Sequence, residues 1–351
     1  MIPLHLTLSI SPFFPREGGA ERQLRFILEK LADDGFVTTV VTGGVEGLSA
    51  VDFVGPLRII GVGRVDQVAL MRKLTKWFMG LWRLFQSRPD VLLSSQLGVN
   101  TVMAAIIAIV LRKPHVVRLA GGSRNGFSES EWRSEHRLNA LMLRGLLHRS
   151  HFVAPAEHLL TGSGSLPKLI RARSTVIPNG VLVIKETPPD LFTRPLAVAW
   201  VGRDNLVKGV PVLLEMAKRC ATVTFQAIGI GRQPDAPPNI RFHGRLADPS
   251  TILEGCRVLL STSSFEGSPN VVLEALGVGL PVVAFEIDGI REIADRYSPA
   301  IKLAPKNDLD AMAHLIQSTV NDPPSAEARP PSISEVAKVW SSLLRSLAGE
   351  S

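Results

Sequence analysis

Two cysteines, Cys220 and Cys256, are all that the 351 residues contain. They lie far apart, with neither a CxxC pair nor a Cys/His ligand spacing, which excludes a disulfide framework and gives no zinc signature. A reducing compartment is expected, and with it a cytoplasmic location. Long apolar runs are missing as well. The best candidate, Thr101 to Leu111, is about half of the ~18 to 20 residues that a bilayer crossing needs. The apolar opening MIPLHLTLSISPFF has no basic n-region and meets Pro12 and Pro15 at once, so it reads as a first buried strand and not as a secretory signal. Charged residues are only 20% of the chain against 45% hydrophobic, far from the composition of a disordered protein.

What is present fits a folded chain of two domains, since single cores stop growing near ~250 to 300 residues. The net charge of +7 is unevenly spread: residues 1–175 hold 22 Lys/Arg and 13 Asp/Glu, or +9, and the remainder is at −2. A basic first half suits a phosphorylated substrate or an anionic lipid surface. Nucleic acid is not expected, because no recognition motif accompanies the charge.

Short apolar segments alternate with helical spacings along the whole chain, the pattern of an α/β fold with parallel strands joined by right-handed crossovers. In the first half the strands are Leu4–Ile10, Thr38–Thr42, Val91–Ser94, Val116–Leu119, 152–154 and 175–177. Helices are expected near 20–33, 68–85, 101–111 and 129–148. Three prolines in Lys185–Pro195 mark a linker at 185–195. This gives a first domain at 1–184, a second at 196–332 and a closing helix at 333–351. Strands of the second domain are read at Ala197–Val201, 222–228, Ile240–Gly244, 258–262, 281–285 and 300–303.

The stretch Val258–Phe285 carries the most chemistry. Ser268 and Pro269 form an N-cap and N1 pair, so a helix beginning there offers backbone N–H groups and a positive dipole end to an anion. Glu266 precedes that helix and Glu274 lies six residues past the cap, about 9 Å along the axis. Two carboxylates so placed can accept hydrogen bonds from hydroxyls on either side of a diphosphate. The competing reading is a loop cap and an ordinary helix residue, although the apolar neighbours of Glu274 make an unpaired carboxylate costly. A second constellation follows a strand: Gly202 allows close backbone approach, and Arg203 and Lys208 can neutralise a diphosphate. A third is Gly18-Gly19 before the first helix, at the mouth of the sheet where open α/β folds bind ligands. No GxxxxGK[ST] sequence occurs, and Gly61-Val-Gly63 and Gly229-Ile-Gly231 lack the third glycine of a dinucleotide fingerprint. Asp308-Leu-Asp310 matches a metal-binding DxD pattern, yet Asp308 is a natural N-cap. His148 and His151 have no third ligand nearby and read as surface or packing residues.

Taken together these motifs resemble the retaining GT-B glycosyltransferases of family 4, the group 1 glycosyltransferases. The Glu-x7-Glu motif falls at Glu266 and Glu274, the Gly-Arg…Lys-Gly motif at Gly202, Arg203, Lys208 and Gly209, and the N-terminal Gly-Gly-x-Glu-Arg at Gly18–Arg22. Val176–Val181 matches the crossover into the second domain. The resemblance implies two Rossmann-like domains facing each other across a central cleft, with a closing helix that returns to the first. It implies a glycosyltransferase of hexosyltransferase type that moves a sugar from a nucleotide sugar to a glycan or lipid-linked acceptor in bacterial-type polysaccharide or glycoconjugate synthesis. In the implied site Arg203 and Lys208 grip the diphosphate, Glu274 holds the ribose and Glu266 contacts the transferred sugar. Asn270, Val271 and Val272 present helix-start N–H groups. No cofactor and no essential metal are implied.

Two departures stand out. Where relatives carry His-Gly after the fifth strand, this chain has Ala120, so Arg118 or the backbone at Gly121 and Gly122 is nominated for the cleft; His115 belongs to the strand start. The donor loop reads Asp288-Gly-Ile-Arg-Glu292, with Arg291 in place of proline. A nucleotide-sugar epimerase of the same fold and a non-catalytic sugar-nucleotide-binding subunit are the alternative functions. Arg72, Lys73, Lys76 and Arg83 interleaved with Trp77, Phe78, Trp82 and Phe85 also suit a helix lying on an anionic membrane, on its inner face, against the reading of a core helix with solvated cations.

Overall fold

The computed structural model describes residues 3–10, 18–43, 51–62, 69–119, 145–160, 170–186, 189–246, 249–297, 299–324 and 329–350. Most of the helix expected at 129–148, together with Ala120, Gly121 and Gly122, lies outside them. Contacts divide the chain into two compact units, 1–179 with 333–351, and 180–332.

The first unit is built on an eight-stranded sheet: β1 (Leu4–Ile10), β2 (Phe36–Thr42), β3 (Val51–Val54), β4 (Leu57–Gly61), β5 (Val91–Ser95), β6 (His115–Arg118), β7 (His151–Ala154) and β8 (Ser174–Val176), in the order β3-β4-β2-β1-β5-β6-β7-β8. All pairs are parallel except β3 with β4. That antiparallel hairpin has no counterpart in the sequence reading, because its strands are short and Gly55-Pro56 interrupts their alternation. The crossovers are α1 (Gly19–Asp33), α2 (Ala69–Gln86) and α3 (Val99–Leu111). From β1 the chain winds outward to β2 and then returns to pair β5 on the other side, with Ser9 opposite Ser94. That reversal makes the β1/β5 boundary the place where such sheets receive ligands.

The second unit repeats the plan with β9 (Ala197–Val201), β10 (Thr224–Ile228), β11 (Ile240–Gly244), β12 (Val258–Ser261), β13 (Val282–Phe285) and β14 (Ile301–Ala304), in the order β11-β10-β9-β12-β13-β14. Its helices are α4 (Val210–Arg219), α5 (Ser250–Glu254), α6 (Asn270–Gly277), α7 (Asp288–Tyr297) and α8 (Leu309–Asn321). The sheet reverses between β9 and β12, where Leu260 faces Trp200. Both cysteines are buried in this core, and burial pushes the Cys256 thiol up to about 12.

The segment expected to link two domains is bound into the second unit instead. Lys185 donates its N–H to the Gly277 carbonyl and its ammonium pairs with Glu254 at 2.8 Å. Leu191 is buried, and the Arg257 guanidinium donates to the carbonyls of Arg194 and Phe192. The stretch even forms a short 3-10 turn at Leu191–Thr193, so its prolines do not free the chain. The closing helix α9 (Ile333–Ala348) does return to the first unit. Its buried Trp340, Val336 and Leu344 join the core beneath α1, and Arg345 donates to the Asp34 carbonyl at 2.6 Å and stacks over Phe36.

His115 opens β6, as expected, and is fully enclosed. Its ring nitrogens lie 3.0 Å from the Ser94 hydroxyl and 2.9 Å from the Ser150 hydroxyl. Burial pushes its pKa down to about 3, so the folded chain holds a neutral imidazole. An unfolded chain protonates this ring near ~6.5, so the stability present above that pH is lost as pH falls toward the folded value. In His115→Gln the decline in unfolding free energy between about pH 6 and 4 becomes shallower than in wild type, by up to ~1.4 kcal/mol per pH unit. Denaturant titrations across this range measure it; equal slopes would contradict the burial argument.

Candidate active site

The nominated residues fall into two groups. Gly202, Arg203, Lys208, Glu266, Asn270, Val271, Val272 and Glu274 belong to the second unit; Gly18, Gly19 and Arg118 belong to the first.

In the second unit the group gathers at the carboxyl ends of β9 and β12, the reversal point of the sheet. The loop after β9 carries Arg203 and Lys208; the loop after β12 carries Glu266. Lys208 Nζ donates to Glu266 Oε1, and the Ser263 hydroxyl donates to the same oxygen at 2.7 Å. The side chains of the pair are 24% and 15% exposed, so the charges are partly withdrawn from water and attract each other more strongly than a surface pair. An ammonium has three donors. One is used on Glu266, which leaves the group able to hold a carboxylate and an incoming anion together. Arg203, five residues earlier on the same loop, is exposed.

A chain of hydrogen bonds fixes the Lys208 loop to β12. Trp200 is buried at the end of β9, and its indole N–H donates to the Thr262 hydroxyl at 2.8 Å. That hydroxyl donates to the Lys208 carbonyl at 2.7 Å, with the Gly209 carbonyl at 3.2 Å. The Lys208 N–H donates to the Asn205 side chain, and the Ser264 N–H to the Val207 carbonyl. Sequence reasoning missed Trp200, Thr262, Ser263 and Asn205. Only the Ser263-to-Glu266 spacing gave a local sign.

Two glycines matter through close approach. A Cβ at Gly202 would lie 2.6 Å from the Trp200 ring, so the glycine expected to admit a ligand admits that indole. A Cβ at Gly289 would lie 2.2 Å from the Glu266 carbonyl oxygen. The text expected as a donor loop, Asp288–Glu292, is the first turn of α7, pressed against the backbone that carries Glu266.

Helix α6 begins one residue later than its sequence suggested, with Pro269 as N-cap and Asn270 as the first helical residue. A capping assignment can shift this far when Pro holds the extended φ, ψ that Ser was expected to hold. The Val272 N–H donates to the Pro269 carbonyl at 3.1 Å and Val272 is buried; Asn270 and Val271 stand half-buried at the first turn. Glu274 is half-buried on the next turn while Val272, Leu273, Ala275 and Leu276 face the core.

In the first unit the Gly18 N–H donates to the Glu21 carboxylate at 2.9 Å, which closes the start of α1 on itself. Arg118 is buried; its guanidinium donates to the Ala20 carbonyl and, at 2.9 Å, to Asn179 Oδ1. Burial brings its pKa down to about 10 while Glu21 raises it, so the charge persists at neutral pH. The residue offered for a cleft is thus a strut that ties β6 to α1. Asp308 caps α8 by accepting from the Ala311 N–H at 2.9 Å, and Asp310 pairs with Arg219, which accounts for the DxD text.

Thr262→Val keeps the shape and removes the relay, stranding the Trp200 indole N–H. A loss of about 1 to 3 kcal/mol is expected in denaturant unfolding. Unchanged stability would show that the relay holds nothing.

Residues 195–322 match the family described as Glycosyl transferases group 1, and residues 17–183 match Glycosyltransferase Family 4. A 2-deoxystreptamine N-acetyl-D-glucosaminyltransferase of Streptomyces fradiae is 25% identical over 90% of this chain and 88% of its own. Among solved structures, sucrose-phosphate synthase of Thermosynechococcus elongatus superimposes with a TM-score of 0.68 at 17% identity, covering 99% of this chain and 97% of that one. HepE of Anabaena, solved in complex with UDP and glucose, gives 0.68 at 18% identity over 99% and 98%. These structures share the GT-B fold of paired parallel-sheet domains. The two matched segments, in order and spanning most of the sequence, place the chain in the group 1, family 4 glycosyltransferases.

Proposed function

We propose that the protein is a retaining, metal-independent transferase that moves a hexose-type sugar from a nucleotide sugar, a UDP-sugar in the first instance, to a glycan or lipid-linked acceptor. The observation that carries this reading is the Lys208–Glu266 pair at the sheet reversal of the second unit, on a loop that also carries the exposed Arg203. The UDP and UDP-glucose complexes of HepE support the donor class, and the 2-deoxystreptamine N-acetyl-D-glucosaminyltransferase relative supports transfer of a hexose-type sugar.

Breaking the bond between the anomeric carbon and the diphosphate develops positive charge on the sugar and negative charge on the departing phosphate. Lys208 and Arg203 neutralise the phosphate, and the first turn of α6, at Asn270, Val271 and Val272, adds its dipole. Fixed cations do here what a divalent ion does elsewhere, so no essential metal is assigned. Glu266 orients Lys208 and accepts from hydroxyls of the transferred sugar; Glu274 accepts from the ribose. With same-face attack, the leaving phosphate takes the acceptor proton, which requires no protein base and is compatible with Ala120 replacing the family histidine. In this proposal the strut at Arg118 shapes the first unit's acceptor side.

Screening UDP-, GDP- and ADP-sugars by thermal unfolding identifies the donor, because a ligand held by the folded state raises its stability. With that donor, Lys208→Ala and Glu266→Ala each cut turnover by about a hundred-fold or more, with little change in the melting temperature and full activity retained in EDTA. Wild-type turnover in either variant would remove that residue from the site. Donor turnover with inverted configuration at a ring carbon, and without transfer, would favour the epimerase.

A further inference from the structure

An exposed apolar surface that the proposed reaction does not use lies on the outer face of α2. Phe78, Trp82 and Phe85, spaced i, i+4 and i+7, are 65%, 58% and 43% exposed, and the Trp82 and Phe85 rings stack with centroids 6.4 Å apart. The inner face is already occupied: Leu84 is buried, and Trp77, Met79 and Leu81 pack on the core. Helix α2 is therefore apolar on two faces, one of them turned to solvent. It carries no Asp or Glu.

The same end of the unit gathers further cations. Helices α2 and α3 run into the neighbouring strands β5 and β6, so both helices finish at one edge of the sheet, where Lys113 pairs with Asp90 at 2.9 Å. At that edge Val110 is 61% exposed. A cavity of about 460 Å³ opens there, walled by Ala108, Ile109 and Leu347 and rimmed by Arg112, Lys113 and Arg149, with no carboxylate among its lining residues. Arg112 closes α3 in the left-handed region at φ 54. Glycine is the usual residue at such a helix end, and an arginine there accepts backbone strain. Its guanidinium gives a reason for tolerating that strain.

We propose that this end of the first unit docks on an anionic bilayer, with Phe78, Trp82 and Phe85 entering the interface and a lipid phosphate seated in the cavity between Arg112, Lys113 and Arg149. The chemistry is complementary. Aromatic rings favour the headgroup level, and each cation near an anionic surface strengthens attachment by about five-fold. The basic excess of residues 1–175 adds a longer-range attraction of the same sign. The docking edge is opposite the carboxyl ends of the strands, so the mouth of this sheet, with Gly18 and Arg118, stays uncovered.

Co-sedimentation with vesicles of phosphatidylcholine, alone or mixed equally with phosphatidylglycerol, tests this. Wild-type protein should sediment with the mixed vesicles and at least ten-fold less with the neutral ones, and lose attachment in high salt. Phe78→Ser/Trp82→Ser/Phe85→Ser and Arg112→Gly/Arg149→Ser should each weaken attachment ten-fold or more. The glycine relieves the backbone strain at 112, so misfolding does not explain its effect. Thermal unfolding and stabilisation by UDP, read on the same variants, should match wild type, which separates a failure of docking from a failure of nucleotide binding. Variants that sediment like wild type, or wild-type protein that ignores both vesicles, would overturn the proposal.

Discussion

The structure of the second unit depends, at its functional end, on holding one lysine against one carboxylate. Lys208 and Glu266 are 58 residues apart in sequence and meet only because β9 and β12 are neighbours at the point where the sheet reverses its winding. Two loops that leave adjacent strands in the same direction face each other over the strand ends. The Trp200 indole, the Thr262 hydroxyl and the Lys208 carbonyl then fasten one loop to the other from below. Gly289 lets α7 press on the Glu266 backbone from the far side. The cation is positioned by hydrogen bonds that leave its own remaining donors available, which is the arrangement that electrostatic stabilisation of a leaving group requires.

The two units use charge differently. In the first, Arg118 is buried and donates to Ala20 and Asn179, so a charge is used to join elements. In the second, Lys208 and Glu266 are only partly withdrawn from solvent and lie on loops. The first arrangement gives rigidity to the scaffold and the second gives reach to a ligand. Part of the basicity of the first half is exposed where α3 ends, at Arg112 and Lys113, and is separate from both.

Regular elements were legible because their signals are local. The strand at Ile240–Gly244 was read to its final residue, and those at β9, β1 and β5 to within one, since each is an apolar run with turn residues beside it. The β3–β4 hairpin was not read, because strands of four and five residues on either side of Gly55-Pro56 give too short an alternation. The start of α6 was misplaced by one residue because Ser268 and Pro269 each suit a cap. The prolines at 185–195 were read as a linker, although Lys185, Leu191 and Arg194 have partners far along the chain that no local pattern announces. The same limit governs the site. Glu266, Glu274, Arg203 and Lys208 were found through a family motif. The relay through Trp200 and Thr262 was invisible, because it connects residues 62 apart that only the sheet order brings together.

If Lys208 and Glu266 act as one unit, their effects on transfer cannot be independent. A double-mutant cycle on turnover, comparing Lys208→Ala, Glu266→Ala and the double variant, measures this directly. The account predicts that the double variant is within a few-fold of the worse single variant. Losses that simply multiply would mean that the two side chains work separately, and the pair at the sheet reversal would no longer explain the site.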